Sequence, residues 1–129
     1  MIDPGDFRVE SFAYKDLLGQ DKWESFTVTF TSLTVVGTPT YVGRFRRVGK
    51  KIEFQVSAVA STSIASTAGT TYFMLPTTAM GIAGEATMTN RTTNVAVGVG
   101  VVDVTNSRCY PPAQVASGNS FNISGWYEA

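Results

Sequence analysis

The sequence predicts an all-β domain, an antiparallel β-sandwich of jelly-roll type with about eight strands. Three observations predict it. Apolar and polar residues alternate one by one through most of the chain, the period of half-buried strands rather than helices. Gly, Pro and Asn turn signals punctuate these runs every ten or so residues, a spacing that suits a sandwich better than an α/β layout. The composition is rich in Thr, Ser, Ala, Val and Gly, with few Leu and only 16% charged residues. At 129 residues the chain fits one domain, and folding at this length buries roughly two-thirds of the extended chain's surface, enough for a core without staples. The domain is expected over residues 23–129, behind an N-terminal arm or linker at 1–22.

The arm, MIDPGDFRVESFAYKDLLGQDK, holds five of the ten acids and opens on Pro4-Gly5 turn chemistry. A short helix is expected over Ser11–Leu18, where Phe12, Leu17 and Leu18 share a side. Trp23–Phe30 is read as a strand with Phe26, Val28 and Phe30 on one face and Ser25, Thr27 and Thr29 on the other. It continues through a bend at Thr31-Ser32 into Leu33–Val36. Gly37-Thr38-Pro39 then turns the chain, with Pro39 at a strand start where its missing N–H does no harm.

Thr38–Ala60 is one long hairpin around which the rest is arranged. Gly49-Lys50 is its turn, because Gly in first position suits a two-residue type II′ loop. That choice sets Val48 opposite Lys51, Arg46 opposite Glu53, Phe45 opposite Phe54, Gly43 opposite Val56 and Tyr41 opposite Ala58. Ile52, Phe54, Val56, Ala58 and Ala60 then share an apolar face with Tyr41, Gly43 and Phe45, while Lys51, Glu53, Gln55 and Ser57 share the wet one with Thr40, Val42, Arg44 and Arg46. A slip of one residue would put Phe54 in water. Arg47, opposite Ile52, breaks the alternation near the turn.

Ser61–Thr71 reads as a loop or weak edge segment turning at Gly69. Tyr72–Leu75 is a short strand stopped by Pro76, Thr77–Ala83 a loop, Gly84–Thr89 a strand and Asn90-Arg91-Thr92 a turn. In Thr93–Val104 the valines 95, 97, 99 and 101 share one face and are expected to pack into a core. Asn94, Ala96, Gly98 and Gly100 share the other. Glycine inside a strand calls for close approach, by an aromatic ring of the same chain, by a neighbouring subunit, or by a ligand. Asn106–Tyr110 is a short strand ended by Pro111-Pro112, and Gln114–Ser120 a polar loop. Phe121–Tyr127 closes the chain, with Phe121, Ile123 and Tyr127 on one side and Asn122, Ser124 and Trp126 on the other.

The absence of histidine removes Ser-His-Asp and Cys-His catalysis and imidazole metal ligands. One cysteine, Cys109, allows no intrachain disulfide, and it reads as a small, partly buried apolar residue with no base to activate it. There is no apolar run of membrane-spanning length and no secretory h-region, so a soluble, cytosolically made protein is expected, and the sequons at Asn90 and Asn122 are read as chance matches. A net charge of zero argues against capture of nucleic acid.

Half of the basic residues sit at Arg44, Arg46, Arg47, Lys50 and Lys51. This is a solvated face, or a contact for an acidic glycan or a partner. The aromatics Tyr41 and Phe45 alternate to the opposite face and cannot interleave with the arginines as base-stacking platforms. A carboxylate pair for glycoside hydrolysis would have to come from Glu53, Glu85 and Asp103 on separate strands. No Asp-rich loop offers a calcium cage. Trp126, Trp23, Tyr110 and Tyr72 are the candidate exposed aromatics, on which the apolar face of a sugar ring can stack, although core or interface roles are commoner for such rings.

The run Leu33–Phe54, LTVVGTPTYVGRFRRVGKKIEF, with its pattern G-T-P-T-Y-x-G-R-[FY], resembles the small C-terminal β domains of bacteriophage tail fibres and other virion appendages. So do Ser66–Pro76 (STAGTTYFMLP), Ser107–Ala113 (SRCYPPA) and Ile123–Tyr127 (ISGWY); the likeness covers about residues 23–127. The resemblance implies a jelly-roll-like module, commonly trimeric, that attaches a virion to a host surface, with residues 1–22 joining it to other virion proteins. The expected role is therefore non-catalytic binding of a host cell-surface glycan, without cofactor, metal, nucleic acid or membrane insertion. Ligand contacts are expected from Trp126, Tyr110, Arg108, Tyr72, Arg44 and Arg46, and subunit contacts from Ala96, Gly98 and Gly100. The alternative is a purely structural virion or head-decoration protein, and a polysaccharide-degrading enzyme comes last.

Overall fold

The computed structural model describes residues 22–129, so the arm apart from Lys22, and the helix expected over Ser11–Leu18, lie outside the described residues. The described chain is all-β. Its strands are β1 (Glu24–Phe26), β2 (Phe30–Thr31), β3 (Thr34–Val36), β4 (Thr40–Val48), β5 (Lys51–Val59), β6 (Ser63–Ser66), β7 (Tyr72–Met74), β8 (Gly84–Asn90), β9 (Val95–Asp103), β10 (Arg108–Tyr110), β11 (Gln114–Ser117) and β12 (Phe121–Glu128). Every pairing is antiparallel. Nine strands form one sheet in the order β1-β4-β5-β12-β8-β9-β10-β7-β2, and β11-β6-β3 form a small second one.

The β4–β5 hairpin has the expected register, with Tyr41, Gly43, Phe45, Arg46 and Val48 opposite Ala58, Val56, Phe54, Glu53 and Lys51. Gly49 turns it at φ 63° while Lys50 stays at negative φ, the pattern of a type II′ turn. Ile52, Phe54, Val56 and Ala58 are buried and their alternates face outward. β12 lies between β5 and β8, pairing along nearly its whole length with both. A C-terminal strand in the middle of a sheet has no free edge, and its Phe121, Ile123 and Tyr127 are fully buried as the alternation predicts.

The edges of the nine-stranded sheet are β1 and β2, yet only Thr27, Val28 and Thr29 separate them. Laid flat, nine strands would span ~40 Å, whereas that link reaches at most about 14 Å. The sheet must roll up, and its two halves become the facing layers of a sandwich-like body. Rings from opposite halves meet inside: Phe54 of β5 lies 5.9 Å from Phe73 of β7, and Phe30 of β2 lies 5.1 Å from Tyr41 of β4. Each such ring removed from water contributes about 1.5–3 kcal/mol.

Three expectations are corrected by the structure. The strand expected over Trp23–Phe30 and Leu33–Val36 is divided into β1, β2 and β3, which pair with β4, β7 and β6. Its alternation survives, with Val28 buried, because the link crosses the seam with one residue inward. Gln114–Ser120, expected as loop, contributes β11, and Ser63–Ser66 becomes its partner β6. The third correction is β9. Val95, Val99 and Val101 are 60%, 73% and 63% exposed, not packed into a core. Thr89 pairs with Ala96 but Met88 pairs with Gly98, so Val97 is an unpaired bulge residue. The bulge resets the alternation, and Gly98, Gly100 and Val102 become the inward positions.

Candidate functional site

The outward residues of β4, β5, β12 and β8 form ladders across the sheet. Arg46, Glu53, Trp126 and Glu85 are successive partners in one, and Arg44, Gln55, Ser124 and Thr87 in the next. A third runs Val42, Ser57, Asn122, Thr89. Two hollows open on this face. One of about 320 Å³ is walled by Trp23 and Trp126, edged by Arg46, Glu53, Gln55, Glu85, Thr87 and Ser124, and floored by Phe54, Ala86 and Gly125. The other, about 570 Å³, is lined by Val42, Arg44, Gln55, Ser57, Val59, Arg91, Asn122 and Ser124. Gln55 and Ser124 line both, so the hollows adjoin side by side along β5 and β12 and together make up a groove on this face.

Cations hold both tryptophans. The guanidinium carbons of Arg44 and Arg46 each lie 4.7 Å from the Trp23 ring centroid. They are two residues apart on β4 and therefore project on the same side. The Lys51 ammonium lies 4.3 Å from the Trp126 centroid. Trp23 immediately precedes β1 and Trp126 stands on β12, on either side of β4 and β5 in the sheet. Arg46 Nε donates to Glu53 Oε2 at 2.7 Å, an ion pair about one-third exposed and worth under ~1 kcal/mol. Arg44 Nε donates to Gln55 Oε1 at 2.7 Å, and Arg91 Nη1 to Ser57 Oγ at 2.9 Å.

Of the expected ligand contacts, Trp126, Arg44 and Arg46 come together here. Tyr72, Tyr110 and Arg108 do not; they cluster on the outer face of β10 and β7, three and four strands beyond β12. There the two tyrosine rings lie 5.4 Å apart, the Arg108 guanidinium sits 4.3 Å from the Tyr72 centroid, and Arg108 Nη1 reaches the Tyr110 hydroxyl at 3.5 Å. Gln55, Ser124, Thr87 and Arg91 were not singled out from the sequence. Gln55 and Ser124 are polar alternates of strands whose apolar faces the alternation gives correctly; the short run Gly84–Thr89 shows no face for Thr87 by itself, and Arg91 lies in a turn, where alternation says nothing about direction.

Glu53 and Glu85 flank Trp126 from β5 and β8, but Asp103 lies apart. The Asn106 side-chain amide, then backbone N–H groups of Asn106 and Thr105, hold its carboxyl below the usual carboxylate range. Cys109 is fully buried, and burial pushes its thiol up to about 12. The glycines expected to meet another subunit meet their own chain. A methyl on Gly100 would lie 2.8 Å from the Tyr110 carbonyl oxygen, and the nearest atoms to Gly98 belong to Pro112. Ala96, beyond the bulge, faces outward with Thr89. Among the described residues no group of three or more His, Cys, Asp or Glu side chains is placed to hold a metal ion.

No protein-family model matches the chain, and neither a curated protein nor a solved structure matches it.

Proposed function

We propose that this protein is a non-catalytic attachment module that binds a cell-surface glycan in the groove along β5 and β12. The observation that carries the reading is the groove between Trp23 and Trp126, with amide and hydroxyl groups between them. A pyranose presents apolar C–H faces and a rim of hydroxyls. Indole walls match the faces, and Gln55, Thr87 and Ser124 match the rim. Glu53 is bound to Arg46 instead of standing in an apolar setting, which favours binding over acid catalysis. The resemblance of Leu33–Phe54 to phage appendage domains supplies the setting: a virion protein, trimeric, carried on other virion proteins.

The test is a glycan array together with whole-cell binding of the isolated protein. Saturable binding that a Trp126→Ala variant loses supports the reading. No binding to any array glycan or host envelope at high micromolar protein would end it, and loss of polysaccharide viscosity on incubation would replace it with an enzyme.

A second reading, a purely structural virion protein, is favoured by one surface. Val99 and Val101 stand exposed beside a hollow of about 230 Å³ lined with Tyr110, Pro111 and Pro112. Apolar surface of this kind suits contact with another subunit. Light scattering at micromolar concentration tests the assembly, and a clean monomer would count against a trimer.

A further inference from the structure

The two hollows of the groove differ in charge. The tryptophan hollow holds Arg46 bound to Glu53, plus the carboxylate of Glu85. The larger hollow contains Arg44 and Arg91 and no acidic residue in its lining. We infer that Arg44 and Arg91 together form an anion subsite that takes the carboxylate of an acidic sugar, a uronate or sialate unit of the glycan whose neutral part lies at Trp126. This rests on the proposed glycan-binding role of the groove.

The geometry is convergent. Arg44 comes from β4 and Arg91 from the turn after β8, on opposite sides of β5 and β12. Both reach β5: Arg44 bonds Gln55 and Arg91 bonds Ser57. Gln55 and Ser57 are neighbouring outward positions, about 7 Å apart. Two guanidinium groups thus stand over one short stretch of strand. Among the described residues Arg46–Glu53 is the only ion pair, and no carboxylate among them neutralises Arg44 or Arg91. Each guanidinium has five N–H donors, and the named bond uses one. The Trp23 ring, its centroid 4.7 Å from the Arg44 guanidinium carbon, limits the freedom of that fork. A planar carboxylate matches such forks in a bidentate manner, whereas a neutral hydroxyl does not.

The test watches the arginine Nε–H signals by NMR while sodium galacturonate, or galactose as neutral control, is titrated to millimolar concentration. Saturable shifts of Arg44 and Arg91 with galacturonate alone are expected. They should exceed any shift at Arg47, an exposed arginine outside the groove, and weaken as salt is raised. No shift, or equal shifts at all three arginines, would overturn the subsite. On the glycan array, acidic glycans should bind roughly tenfold or more above their carboxyl-reduced counterparts, the worth of a charge-assisted bond, and Arg91→Gln should remove that preference. Array binding confined to neutral glycans would remove the subsite and keep the groove reading; sulfated glycans outranking carboxylated ones would overturn the carboxylate assignment.

Discussion

Gly125 lies directly against the ring of Phe54: a methyl group on its α-carbon would come 2.6 Å from the ring Cζ and would also collide with the Glu85 carbonyl. Both residues floor the tryptophan hollow and both border the core. Phe54 is fully buried against Phe73 and Tyr127, so its ring has no room to retreat. Gly125→Ala should therefore destabilise the fold by about 1–3 kcal/mol, the usual cost of an overpacked core. Urea unfolding of the two proteins measures it. An unchanged midpoint would mean that β12 and β5 are less tightly apposed than the register implies.

Trp126 is only half-buried and projects outward, so removing it should spare the fold. Trp126→Ala is expected to change stability by less than ~1 kcal/mol. If the groove binds glycan, the loss of its wall should cost about 2 kcal/mol of binding or more, as for an aromatic hot spot. Calorimetric titration with a glycan found on the array, beside a thermal melt, separates the two effects. Equal losses in both would make Trp126 a structural residue.

The hairpin was legible because two constraints agree there: the Gly49-Lys50 turn and the alternation of Ile52, Phe54, Val56 and Ala58 each demand the same register. The roll of the sheet was not legible. It follows from β1 and β2 pairing at opposite edges, and nothing local in Thr27–Thr29 distinguishes a seam from a continuing strand. The valines of β9 misled for a related reason. Alternation tells which residues share a face but not which face is inside, and the bulge at Val97 interrupts even the sharing. The site was half legible. Trp126, Arg44 and Arg46 sit on strands whose phase was read correctly, whereas Tyr72, Tyr110 and Arg108 needed the strand order to show that they lie elsewhere.

The buried thiol of Cys109 makes stability fall in alkali. Its pKa is pushed up to about 12 by burial, against 9.0 for a free thiol. The folded state thus keeps a proton that the unfolded chain has released. That stabilisation is complete below about pH 9 and is lost as pH rises from there toward 12, at up to about 1.4 kcal/mol per unit. The Tyr127 phenol, also raised by burial, acts with the same sign at higher pH. Urea midpoints from pH 8 to 10.5 should decline, and Cys109→Ala should flatten the early part of the decline. The native thiol should also resist a disulfide reagent at pH 8 and react once unfolded; rapid reaction of the folded protein would contradict the burial.

Tyr127 ties the last strand to the loop before β8. Its hydroxyl donates to the Thr77 carbonyl at 2.9 Å and accepts the Thr77 backbone N–H at 3.0 Å, with Thr77 Oγ1 at 2.9 Å. The same loop is held further on, where Met80 N–H donates to the Glu128 carbonyl at 3.0 Å and Glu128 N–H to the Ala83 carbonyl at 3.2 Å. Tyr127→Phe keeps the ring in the core but leaves the Thr77 amide and carbonyl without their partner in a site that is partly buried. A loss of about 1–3 kcal/mol is expected, the cost of stranding such groups. It should be uneven: amide exchange at Thr77 and Met80 should accelerate more than at Val56 or Ile123 in the centre of the sheet. Uniform acceleration at all four amides would mean that the hydroxyl contributes to the whole sandwich and does not pin this loop in particular.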